Sequence, residues 1–251
     1  MHRFYLPPEA CRRTALVLGG SEAHHALRVL RLRANESVVV LDGAGGEYHC
    51  AVTALQRREV ELAVTRRNSV PPLPYQLTLA QALPKGKLME TIIQKATELG
   101  VHRIVPLLSD RVVTQLDDER AETRLEKWRA TAIEAVKQCG SAWLPRIEPA
   151  VTPAAWLSHG EKFDLTFIGS LQPDARHPRE WLRRFREQHG RAPVSVCVWV
   201  GPEGDFTAAE LRAAQDAGAR PITLGRLVMR CDTAAVSCLA VLNSELQWAE
   251  H

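Results

Sequence analysis

Residues 193–204, Pro-Val-Ser-Val-Cys-Val-Trp-Val-Gly-Pro-Glu-Gly, decide how this chain is read. The run up to Val200 is almost unbroken in its apolar character, the mark of a strand buried on both faces. Gly201-Pro202-Glu203-Gly204 follows as a tight turn, Pro202 fixing φ and the glycines removing Cβ clashes. Thr207-Ala-Ala-Glu210 is a capping box that opens a helix, and Gly218 ends it. Pro221–Leu224 predicts a second short strand and Gly225 a second turn. Asp232 or Thr233 then caps a last helix that is apolar on nearly every face. Turns at the ends of buried strands leave main-chain N–H and C=O groups free to grip a small molecule. The same spacing also describes an ordinary β-α-β unit with well-made turns.

Upstream the alternation continues. Strand-like runs at 76–82, 102–108, 163–169, 194–200 and 221–224 are separated by helical patterns near 87–99, 118–139, 178–189, 207–217 and 232–248. This predicts an α/β domain with a mainly parallel sheet over 75–251. Asn68-Ser-Val-Pro-Pro-Leu-Pro-Tyr75 is a stiff, proline-rich linker. Before it, over 1–70, short strands dominate (14–18, 36–41, 47–54, 59–65), with one helix near 21–32. Within that stretch Val38-Val-Val-Leu-Asp-Gly-Ala-Gly-Gly46 imitates motif I of Rossmann-type enzymes, a strand followed by a glycine-rich turn. A helix must follow such a loop. Here Tyr48, Cys50, Val52 and Ala54 alternate instead, so the glycines make a hairpin.

The chain has 251 residues, 45% of them hydrophobic and 24% charged, in the range of one large or two modest globular domains. No segment approaches the length of a membrane span, and the first residues lack the apolar core of a secretory signal. The six cysteines form no C-x-x-C pair, and no Cys/His cluster has metal-ligand spacing. They read as reduced thiols of a cytoplasmic protein, with no metal site. The net charge of +3 is unevenly placed: residues 1–74 carry ten arginines, no lysine and seven carboxylates, whereas residues 75–251 carry 22 basic and 22 acidic side chains. Arginine's planar fork suits phosphates and base edges. A solvated, arginine-rich surface is the other reading of that excess.

Four motifs occur together in order: HHALRVLRLR (24–33), ALPKGKLMETIIQKATELGVHRIVPL (82–107), GPEGDF (201–206) and LGRLVMRCDTAA (224–235). With them the chain resembles, over nearly its whole length, the RsmE family of the SPOUT superfamily. These are methyltransferases that modify N3 of a uridine in small-subunit (16S) ribosomal RNA. Asp205 stands where the family usually has a third glycine, and Asp232 where a glutamate is common. The resemblance implies a C-terminal SPOUT domain with a deep trefoil knot, of which the turns 201–204 and 225–231 form part, behind a small N-terminal PUA-like β-barrel that binds RNA. It implies S-adenosylmethionine held by Leu171, Val200, Gly201, Pro202, Glu203, Gly204, Leu224, Gly225, Leu227, Met229 and Thr233. It also implies a homodimer, which the apolar helix 232–248 fits, and no metal.

Chemistry then assigns roles. As the proton leaves N3 of uridine, negative charge spreads onto the flanking carbonyl oxygens, and a fixed cation stabilises it. Arg230, beside the second turn, is the candidate; its alternative is an ion pair with Asp232 or Glu203. Glu203 is the candidate base, or else it orients the turn. Thr233 reads equally as a helix cap. His24, Arg28 and Arg31, at i, i+4 and i+7 of a helix, with Arg33 and Lys85, are the RNA-contact candidates. Two rival functions stand beside this one: methylation of another RNA acceptor such as a ribose 2′-hydroxyl, and an RNA-binding protein of the same fold without activity.

Overall fold

The computed structural model describes residues 1–111, 118–170 and 172–247. They form two compact units, Met1–Pro72 with Ile133–Leu144, and Leu73–Ala132 with Pro145 onward.

The first unit is a five-stranded sheet in the order β1-β3-β4-β5-β2, with β1 His2–Tyr5, β2 Ala15–Leu18, β3 Ser37–Leu41, β4 Gly46–Leu55 and β5 Val60–Ser69. β3, β4 and β5 run as an antiparallel meander, and β1 lies parallel to β3 with Phe4 opposite Val40. Phe4 from one edge strand and Leu16 and Leu18 from the other enter the same core as Val38, Val52 and Leu62. The sheet therefore curls around this apolar centre, while Val39 and Leu41 pack with Ala142 and Val70 in a smaller second cluster. The glycine-rich run 43–46 closes the β3–β4 hairpin. Buried Asp42 sets that turn: its Oδ1 accepts hydrogen bonds from the N–H groups of Ala44 (2.8 Å) and Gly46 (2.7 Å).

The helix expected over 21–32 is shorter and irregular. α1 spans Gly20–His24 and continues as a π-helical turn over His25–Val29, with Leu30 N–H donating to His25 C=O. Arg31 then takes the left-handed conformation, φ 54°. Leu32 must reach the core that also holds Ala26, and a regular helix would carry it off that face. His24, Arg28 and Arg31 thus do not share one helical face, although all three, and Arg33, are exposed.

The second unit carries a six-stranded, wholly parallel sheet in the order β11-β9-β10-β6-β7-β8. The strands are β6 Gln76–Ala82, β7 Arg103–Leu107, β8 Arg146–Ile147, β9 Leu165–Gly169, β10 Ser195–Val200 and β11 Arg220–Ile222. The helices are α2 Leu88–Glu98, α3 Asp118–Cys139, α4 Pro153–Ser158, α5 Pro178–His189, α6 Ala208–Asp216 and α7 Cys231–Gln247; α3 passes its last residues to the first unit. β10 sits between β9 and β6 and is buried from Val196 to Val200, as its apolar run requires. On one face Trp199 and Cys197 pack with Phe206, Ala214 and Trp156, from the α6 and α4 side. α7 packs on β10 and β6 and against α2 and α5. The Thr207 capping box is complete: Thr207 Oγ1 accepts from Glu210 N–H (3.2 Å), and Glu210 Oε2 accepts from Thr207 N–H (2.8 Å). α7 begins at Cys231, ahead of the expected caps, because Ala234 N–H already donates to Arg230 C=O (2.8 Å). Asp232 and Thr233 lie inside its first turn.

Candidate cofactor cavity

Three neighbouring strands, β9, β10 and β11, end at one place, and a cavity of about 350 Å³ opens there. Gly169 and Ser170 line it from the end of β9, Val200 to Glu203 and Asp205 from the turn after β10, and Ile222 to Gly225 from the end of β11. Leu227 to Cys231 close it, and Ala234 and Cys238 supply the wall from α7. Binding at the carboxyl ends of parallel strands is the general rule for open α/β sheets, and pockets of roughly 300–1,000 Å³ take small molecules.

The lining is mostly apolar, but the loop 223–230 offers main-chain donors. Among the described residues, the N–H groups of Leu224, Leu227 and Met229 donate to no protein acceptor. At Gly225, φ is +156° and no heavy atom lies within 4 Å of where a Cβ would stand. That backbone conformation is one that residues with a side chain rarely adopt, so a substitution there strains the loop. Burial, reinforced by the negative charge of Glu203 and Asp232, pushes the Cys231 thiol up, and burial alone takes Cys238 to about 12. Both therefore stay protonated and serve as apolar wall.

The turn after β10 is braced from three sides. Glu203 Oε1 accepts from Lys85 N–H at 3.0 Å, tying in the loop that leads from β6 to α2. The Arg111 guanidinium donates to Gly204 C=O. Asp205 N–H closes the turn on Pro202 C=O (2.9 Å), and Asp205 itself is left-handed, φ 60°. Its Oδ1 accepts from Phe206 N–H at 2.7 Å and lies 2.7 Å from where a Cβ on Gly201 would be. Gly201 is thus needed because the turn folds back on it. Behind the turn, fully buried Gln81 donates from Nε2 to Ala82 C=O and Val200 C=O.

Of the residues named from sequence, Val200, Gly201, Pro202, Glu203, Leu224, Gly225, Leu227, Met229 and Arg230 meet in this one lining. Gly204 and Thr233 stand outside it, and Leu171 lies outside the described residues. Sequence reading passed over Gly169 and Ser170, although the end of the predicted strand 163–169 pointed to them, and Cys231, Ala234 and Cys238, which helical spacing places on the inner face of α7. Arg230 is largely exposed and makes the alternative contact, an ion pair with Asp232, only at its outer limit: Nε lies 3.9 Å from Asp232 Oδ1, beyond hydrogen-bonding distance. Lys85 is exposed next to Glu203.

The chain matches the model of the RNA methyltransferase domain over residues 71–243 and that of the RNA methyltransferase PUA domain over 18–65. Ribosomal RNA small subunit methyltransferase E of Mycobacterium bovis is 32% identical over 90% of this chain and 85% of its own. The Synechocystis enzyme of that name is 31% identical over 98% and 78%. The chain belongs to the ribosomal RNA small subunit methyltransferase E family. Two solved structures extend the RsmE likeness to the fold. The Neisseria gonorrhoeae RsmE bound to S-adenosylmethionine superposes with a TM-score of 0.84 at 28% identity, covering 100% of this chain and 99% of that one. A Legionella pneumophila methyltransferase with S-adenosylmethionine bound gives 0.86 at 28%, covering 96% of both. The five-stranded unit is accordingly a PUA-type domain and the parallel-sheet unit an RsmE methyltransferase domain. Among the described residues no helix is long and apolar enough to cross a membrane. All six cysteines are free thiols.

Proposed function

We propose that this RsmE-family protein transfers a methyl group from S-adenosylmethionine to N3 of a specific uridine in 16S ribosomal RNA. The observation that carries the reading is the cavity at the ends of β9, β10 and β11, with its row of unpartnered main-chain donors at Leu224, Leu227 and Met229. An adenine ring needs an apolar slot and main-chain hydrogen bonds, and that loop offers both. Bound there, S-adenosylmethionine supplies an electrophilic methyl on a sulfonium; the new N–C bond forms as the S–C bond breaks.

The chain's own residues act on position and charge. The braced turn 201–205 fixes the cavity wall, and holding two reactants in line supplies up to about 7–11 kcal/mol of a displacement barrier. Arg230 places an exposed guanidinium at the cavity, held only by a 3.9 Å ion pair with Asp232 that leaves it able to meet the charge that develops on the uracil oxygens. Glu203, engaged by Lys85 N–H, orients the turn rather than taking the proton. His24, Arg28, Arg31 and Arg33 on the PUA-type domain and Lys85 by the cavity contact the RNA; their exposure supports this.

The protein works as a cytoplasmic homodimer without a metal. Leu227 and Val228, 82% and 77% exposed at the cavity, and the partly exposed Val236, Ala240 and Val241 of α7 are apolar surface that a second subunit covers. The return of α7 from edge strand β11 onto central β10 and β6 supports the trefoil knot. The domains divide near the 70–75 linker. Calorimetric titration with S-adenosylmethionine tests the cavity. One site per chain, abolished in Gly225→Val, is expected. Cofactor binding without transfer to rRNA overturns the enzyme reading in favour of an inactive RNA-binding protein.

A further inference from the structure

Beside the cavity, three arginines crowd one tryptophan. The guanidinium carbons of Arg176, Arg184 and Arg220 lie 5.9, 5.2 and 5.3 Å from the Trp181 ring centroid. Any two of these charges are therefore within about 11 Å, close to one screening length in physiological salt. Carboxylates do little to offset them. Arg176 meets Glu180 at 3.5 Å with both side chains about half exposed, an arrangement of little strength. Arg184 and Arg220 make no ion pair among the described residues. The Trp181 indole N–H is shielded from solvent and has no acceptor there. Three guanidinium groups thus gather around one ring with a single weak carboxylate partner, Glu180, within a stretch of sequence whose overall charge balances.

The cluster is joined to the cavity through the backbone. Arg176 N–H donates to Pro221 C=O (3.2 Å), and Thr223 N–H donates to Arg176 C=O (3.0 Å), so Arg176 bridges Ile222 at the sheet edge. Arg220 opens β11, and Ile222, two residues on and about 7 Å along the strand, lines the cavity. We propose that Trp181 with Arg176, Arg184 and Arg220 is a second rRNA-contact surface, on the methyltransferase domain, that grips backbone phosphates beside the target nucleotide. Guanidinium forks pair with phosphate in a bidentate way, and the Trp181 ring gathers the three forks in one place. This inference rests on the methyltransferase reading above.

The test uses the full-length Arg184→Ala/Arg220→Ala variant, neither residue lining the cavity. Binding to small ribosomal subunits lacking the modification is measured across a salt series, and steady-state methyl transfer alongside. The expected result is a log K against log salt slope shallower by about 1–2, KM for subunits raised about tenfold, and kcat and S-adenosylmethionine affinity within twofold of wild type. Arg184→Lys/Arg220→Lys keeps the charges and should retain most of the slope, which separates lost charge from misfolding. An unchanged slope and KM overturn the proposal, as does a change of oligomeric state with unaltered rRNA affinity. If wild type binds subunits but transfers no methyl, the methyltransferase reading fails, while the salt slope still judges the surface.

Discussion

Glu203 Oε1 accepts the backbone N–H of Lys85 at 3.0 Å, so the loop leading from β6 into α2 is fastened to the turn that walls the cavity. A carboxylate already held this way is a brace more than a base. Glu203→Gln should keep the contact weakly and lower kcat/KM about tenfold, the scale of one charged hydrogen bond. The pH–rate profile should keep its shape. Loss of an ionisation from that profile would return Glu203 to the role of general base.

Arg230 is expected to act on the transition state. Arg230→Ala should leave S-adenosylmethionine affinity within a few-fold and lower kcat about 100-fold, the usual cost of one charge-stabilising donor. Arg230→Lys should recover part of that. Near-normal turnover in both folded variants contradicts the assignment.

Gly201 and Asp205 form a matched pair. A Cβ at 201 would stand 2.7 Å from Asp205 Oδ1 and 3.2 Å from Asp205 Cα. Gly201→Ala should therefore distort the turn and weaken cofactor binding about tenfold or more. Adding Asp205→Gly removes the Oδ1 clash and relieves a left-handed aspartate, so the double variant should regain part of the affinity. Asp205→Gly alone should change stability by no more than about 1 kcal/mol, since relief of αL strain offsets the lost bond to Phe206 N–H. Calorimetric titration and thermal melts read both effects.

Much of this was legible wherever a signal was local and periodic. α5 spans the residues that its helical pattern indicates, and α3 ends at Cys139 as expected. The Thr207 capping box and the Asp42 hairpin also formed as read. Non-local features were not legible. β1 exists because four residues pair with a strand more than thirty positions away. The Thr152-Pro153 start of α4 carried a cap-and-proline signal, with Thr152 Oγ1 accepting from Ala155 N–H, that went unread. The helix at 20–29 breaks because burial of Leu32 outweighs helical regularity. The strand-end turns marked where the cavity lies, and the RsmE resemblance named much of its lining. The Trp181 cluster was not legible, since Arg176, Arg184 and Arg220 meet only in the fold.

Asp164 sets an acid limit on stability. The Arg191 guanidinium, bonded at 2.7 and 3.0 Å, lowers its pKa from 3.8 to about 2 against a smaller burial penalty, helped by the Val194 and Ser195 N–H groups. A depressed folded pKa contributes stability that is present above the unfolded value and lost as pH falls through the folded one. Wild type should lose this contribution between about pH 4 and 2. Asp164→Asn should be less stable at neutral pH, with a flatter acid limb in denaturant titrations. Equal acid limbs in the two proteins would contradict the pairing.

The central claim is tested most directly by incubating the protein with radiolabelled S-adenosylmethionine and small ribosomal subunits from a strain that lacks it, then identifying the labelled nucleoside by mass spectrometry. The account predicts label in 16S rRNA as 3-methyluridine at a single position, appearing about 100-fold more slowly with Arg230→Ala. Label on a ribose 2′-oxygen or another base, or no label from a protein that binds the cofactor, would contradict it.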